Sequence, residues 1–159
     1  MFSKYIVGAV LLTILQTGTA HEFKNQQFHV DHPWARPTFA LATTGAAYLS
    51  VHNMGRDDDL LTGASVEENI AQAVQIHDVL MDGDIMKMRQ ITSGVAIANG
   101  EIVSFSPGGK HFMLLGLKKP LIEGESFPLT LYFENSETMV VTVKIEKSEQ
   151  QSKIHMHHH

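Results

Sequence analysis

Short runs of alternating apolar and polar residues, each closed by a turn signal, recur along most of this chain. A period of two sends neighbouring side chains to opposite faces of an extended strand, whereas a helix needs a period near 3.6. The runs are Ala46–His52, Ala73–Leu80, Ile85–Ile91, Glu101–Phe105, Phe112–Leu117, Phe127–Phe133 and Thr138–Ile145. Polar or glycine-bearing turns separate them at Asn53–Asp59, Met81–Asp84, Ser106–Gly109, Glu123–Gly124 and Glu134–Ser136. Many short strands with such punctuation fold as an all-β antiparallel sandwich or barrel. One weak helical spacing remains, around Val66 to Ala73, and there is no internal repeat.

The two ends differ from this pattern. Lys4, an apolar run from Tyr5 to Leu15 and the small residues Thr17–Ala20 describe a secretory signal over residues 1–20, cut after Ala20. The run is shorter than the ~20 residues that span a bilayer. Removal of that segment takes away Lys4 and no acid, so the formal charge of −5 becomes one unit more negative. A mildly acidic chain without a basic stripe does not suit nucleic acid or an anionic membrane surface. Residues 21–147 suit one domain with a single core. Residues 148–159 form a polar, flexible tail that ends in His155, Met156, His157, His158 and His159.

The chain has 0 cysteines, 10 histidines and 8 methionines. This composition excludes disulfides, thiolate nucleophiles, iron–sulfur clusters, cysteine-based zinc sites, blue-copper sites and a lipid-bearing cysteine. Imidazoles and thioethers are the transition-metal ligands that remain. In His111-Phe112-Met113 the first and third side chains share a strand face. His77 and Met88 flank the Met81–Asp84 turn, so a hairpin would bring their strands together. Two imidazoles and two thioethers make a neutral, soft set that favours Cu(I) over Zn(II), Mg(II) or Ca(II). Taken singly, a strand methionine is more often packing and a histidine more often a surface residue.

The arrangement His77, ten residues, Met88, then His111-x-Met113 resembles the signature of the PCu(A)C family of periplasmic copper chaperones. Similar segments are Trp34-Ala35-Arg36, Ala47–Asn53, Asp58–Ser65, Met86–Arg89, Pro107–Gly109 and the Gly124 turn, so the likeness runs from about Val30 to Ile145. One departure is an extra residue between Met88 and His111 relative to the family pattern. In a turn it is harmless, but inside a strand it would swap a side chain to the wrong face. The resemblance implies a cupredoxin-like, Greek-key β-sandwich with an exposed Cu(I) site at His77, Met88, His111 and Met113. It also implies a periplasmic carrier, not an enzyme, that delivers copper toward cytochrome oxidase, to an oxidase subunit or a Sco-type protein.

Other ligands stand apart from that pattern. The tail cluster His155–His159 is either a Cu(II) capture site or a non-specific imidazole cluster such as an affinity tag. A mature N-terminal His21 would chelate Cu(II) through amine and imidazole, which keeps a copper enzyme as an alternative. Copper tolerance or storage, and a metal-free adhesion domain, are further alternatives. His52 and Met54 repeat the His-x-Met spacing, and Met86 shares a face with Met88. His29 and His32 have no evident partners in the sequence.

Overall fold

The structure is a computed structural model and describes residues 22–147. The expected signal segment (residues 1–20), His21 and the tail cluster His155–His159 lie outside the described residues. The elements are β1 (Glu22–Lys24), β2 (Phe28–Ala35), β3 (Thr44–Asn53), β4 (Asp59–Val66), β5 (Ala71–Asp82), β6 (Ile85–Gln90), β7 (Val95–Ile97), β8 (Ile102–Phe105), β9 (His111–Leu117), β10 (Ser126–Phe133) and β11 (Met139–Ile145). Among the described residues there is no helix, and the fold is all-β and cupredoxin-like.

Hydrogen bonding runs along one path, β6-β5-β9-β3-β2-β11-β10-β4-β7, with β1 added to β2 and β8 to β3. Ile76, Phe112 and Leu114 from one end of this path share a single apolar cluster with Leu61, Leu129 and Ile97 from the other. The sheet therefore folds back over itself, because each strand has one apolar face that must be covered. β10 and β11 show the alternation plainly: Phe127, Leu129, Leu131, Val141 and Val143 are buried while their neighbours face solvent. Phe28 stacks on Phe133 at 4.0 Å, and Phe105 on Phe112 at 4.5 Å.

Two features depart from the sequence reading. The pairing is antiparallel except at β11–β2, where Lys144 and Ile145 run parallel to Trp34 and Ala35. The helical spacing around Val66 to Ala73 is not a helix but the end of β4, a turn and the start of β5. Ile70 and Ala71 both donate to the Glu67 carbonyl, which is one helical turn that is not continued. Ile70 and Ala71 are buried there, and β5 pairs with β9 from Ala71 onward, so tertiary pairing overrides the local spacing.

β5 and β6 form a hairpin at the edge of the sheet. Its two-residue turn, Gly83-Asp84, has Gly83 at φ 63°, a backbone state that glycine adopts without strain. All of β6 is exposed, so this hairpin reaches past the core.

Candidate metal centre

Register builds the site. On β5 and β9, His77 stands directly opposite His111 and Gln75 directly opposite Met113. On β5 and β6, His77 pairs with Gln90 and Val79 with Met88, so Met88 is the diagonal neighbour of His77 on the same face. Ala46 of β3 lies opposite Met113 from the other side. Three strands, β5, β6 and β9, thus present His77, Met88, His111 and Met113 on one face. Phe112, between the two β9 ligands, turns into the core and is fully buried.

The ladders β5–β6, β4–β7, β3–β8 and β5–β9 all run without a register shift. No bulge in these strands therefore turns His111 or Met113 off the face that they share with His77.

Met88, His111 and Met113 line one open groove of about 370 Å³, with Arg36, Thr38, Phe39 and Ala46 among the other walls. His77 stands beside it, its ring centroid 5.8 Å from that of His111. His111 is 7% exposed, whereas Met88 is 55% exposed. Tyr48, buried, closes the inner side with its ring 6.5 Å from His111 and packs on Trp34 at 4.7 Å. The Arg36 guanidinium lies 5.7 Å over the Tyr48 ring. Burial pushes the Tyr48 hydroxyl above its ordinary pKa, partly opposed by the positive charge of Arg36.

Each imidazole is tied at one nitrogen. His111 Nδ1–H donates to the Gly109 carbonyl at 2.9 Å, which leaves Nε2 with its lone pair free. His77 Nε2–H donates to Gln75 Oε1 at 2.9 Å. His77 Nδ1 is buried with no hydrogen-bond partner. A buried, unpartnered acceptor is costly unless something fills its lone pair. Burial, and next the neighbouring His111, lower the pKa of His77, which favours the neutral imidazole that a metal requires. Gln75 and Gly109 each lie two residues before the histidine they orient, a spacing visible in the sequence although their role was not.

The remaining sequence candidates sit elsewhere. His52 is six residues along β3 from Ala46, roughly 20 Å at strand rise. It faces His29 of β2 across the ladder. His29 Nε2 lies 3.1 Å from Asp31 and 3.4 Å from Glu22, near enough to pair with them when the imidazole is charged but not aligned for a hydrogen bond. His32 Nε2 meets Glu146 at 2.7 Å. Met54 is exposed just beyond β3.

The sequence matches the family described as "Putative lipoprotein LpqE-like" over residues 28–145. The chain belongs to the LpqE-like family. A putative lipoprotein of Leifsonia xyli subsp. xyli is 33% identical over 101 residues, which cover 64% of this chain and 60% of that protein. Among solved structures, the apo PCuAC domain from PmoF1 superposes with a TM-score of 0.66 at 26% identity, covering 80% of this chain and 100% of that domain. CuI-DR1885 from Deinococcus radiodurans superposes with a TM-score of 0.52 at 26% identity, covering 74% of this chain and 77% of that structure. This LpqE-like chain thus shares its fold with PCuAC domains.

Proposed function

We propose that this chain is a PCu(A)C-type copper chaperone that carries Cu(I) on His77, Met88, His111 and Met113 and hands it to a second protein. The observation behind this reading is the facing pair of imidazoles, each tied at one nitrogen and free at the other, with two thioethers on the same face. Such a set is neutral and soft. Cu(I) gains more from two thioethers than Zn(II) or Mg(II), which prefer harder ligands. The likeness to an apo PCuAC domain and to CuI-DR1885 supports the same cargo.

Graded exposure suits transfer. His111 is held inside by Gly109 and Tyr48, while Met88 stands on an exposed edge strand. A recipient can displace the outer thioether first while the inner imidazole still holds the ion. The groove lining contains no carboxylate to orient a histidine base, which fits a carrier better than a hydrolase. We assign the chain to the periplasm, with residues 1–20 as its export signal. As recipient we assign a cytochrome oxidase subunit or a Sco-type protein.

Anaerobic titration with Cu(I) against a chromophoric chelator tests the site. The parent chain should bind one equivalent tightly, and Met88→Leu and Met113→Leu should each weaken it with little loss of stability. Unchanged affinity in both variants overturns the ligand set. Transfer is tested by mixing the Cu(I)-loaded chain with a candidate oxidase domain and following both by NMR. Copper that stays on the chain with every such domain overturns the proposed recipient.

A further inference from the structure

The β5–β6 hairpin sorts its side chains by chemistry. On one face are Asp78, Leu80, Asp82, Ile85, Lys87 and Arg89, which include every charged residue of the two strands. Lys87 pairs with Asp82 there, and Lys110 reaches Asp78 at 3.4 Å. The opposite face carries His77, Val79, Met81, Met86, Met88 and Gln90: no charge and three thioethers.

Met81 stands directly opposite Met86. A two-residue turn closes on a hydrogen-bonded pair, here Asp82–Ile85, so Met81–Met86 is a non-hydrogen-bonded pair, where side chains approach most closely. Met88 follows Met86 on the same face, roughly 7 Å along the strand. Met81 and Met86 are 64% and 62% exposed, so neither fills the core. Leucine or isoleucine would serve a merely apolar tip equally well. What methionine adds is a polarizable sulfur on an adaptable stem.

We propose that Met81 and Met86 form a second, weaker soft-metal subsite, through which Cu(I) passes between the hairpin tip and Met88. This rests on the four-ligand reading given above. The step is ligand exchange without redox: as a new Cu–S bond forms at the tip side, a Cu–N or Cu–S bond at the inner site breaks, and copper stays Cu(I). Thioethers do not titrate, so no proton moves with them. The tip subsite lacks an imidazole and faces solvent, so it fills after the inner site and empties before it.

The full chain, labelled with 13C at its methionine methyl groups, is titrated anaerobically with Cu(I). The first equivalent should shift the Met88 and Met113 methyls, and further addition should shift those of Met81 and Met86. The Met81→Leu/Met86→Leu variant, which nearly conserves volume, should keep parent affinity for the first equivalent yet release it several-fold more slowly to a chelator. Tip methyls that never move, or a variant that exchanges at the parent rate, overturn the subsite. Failure of the inner site reads out separately, as Met88 and Met113 methyls that do not respond to the first equivalent.

Discussion

Gln75→Leu isolates the orientation of one ligand from its identity. In the parent, Gln75 Oε1 accepts from His77 Nε2–H at 2.9 Å and so holds Nδ1 as the free nitrogen. Leucine has a similar volume and keeps the face, but it cannot accept a hydrogen bond. A neutral hydrogen bond contributes a net ~0.5–1.5 kcal/mol, about a two- to thirteenfold effect on an equilibrium. Loss of partners that orient metal ligands costs about 10–100-fold in affinity. The two ranges overlap near tenfold, so Cu(I) affinity should fall by about that factor. Folding should change little, because Gln75 is half-buried and stands on the strand face opposite the core residue Ile76. Anaerobic chelator competition gives the affinity, and urea unfolding gives the stability. Gln75→Glu retains an acceptor at the same place and should bind at least as tightly as the parent. Equal affinity for the parent and the Leu variant would refute the idea that this hydrogen bond presents Nδ1 to the metal.

Other outcomes follow from the same geometry. The His77 imidazole of the metal-free protein should titrate below 6.5 by NMR, because burial and then His111 disfavour its charged form. Asp59 is buried and accepts from the Leu60 and Asn135 amides and from Ser136 Oγ, so Asp59→Ala should cost about 1–3 kcal/mol in urea unfolding. Burial would raise the Asp59 pKa, but these hydrogen bonds outweigh it and hold the pKa below 3.8. A carboxylate with a depressed folded pKa stabilises the protein above its unfolded pKa. That stability is lost as pH falls through the folded value, so the difference between parent and Asp59→Ala should shrink below about pH 4, the unperturbed carboxylate range. Phe112→Ala should cost about 3–5 kcal/mol, since Phe112 is fully buried against Phe105 between the two β9 ligands. Circular dichroism melting should show that loss, with metal affinity falling as well.

Alternation made much of the site legible. His111-x-Met113 is two ligands on one face because Phe112 must enter the core, and any strand would impose that. The Met81–Asp84 turn gave the hairpin that brings Met88 beside His77. The pairing of His77 with His111 was not legible, since 34 positions separate them and no local rule selects β9 as the neighbour of β5. β2 was missed because Pro33 and the charged and imidazole residues of Phe28–Ala35 hide its alternation, and its ladder breaks between Asp31 and Trp34. β4 was missed because Gly63 and small residues dilute its apolar face. The Val66–Ala73 helix failed because one turn of helical spacing is too short to resist a strand partner.

β11 is the last strand among the described residues, yet it lies in the middle of the hydrogen-bonded path, between β2 and β10. Its ladder to β2 joins residues more than a hundred positions apart. Until residue 145 is available, the strands before it remain two pieces with open seams, and Phe127, Leu129 and Leu131 lack their cross-strand partners Val143, Val141 and Met139 in the core. A ribosome halfway through this message therefore holds a chain that has no stable shape, and a stop codon shortly before Met139 would leave a product for proteases to clear.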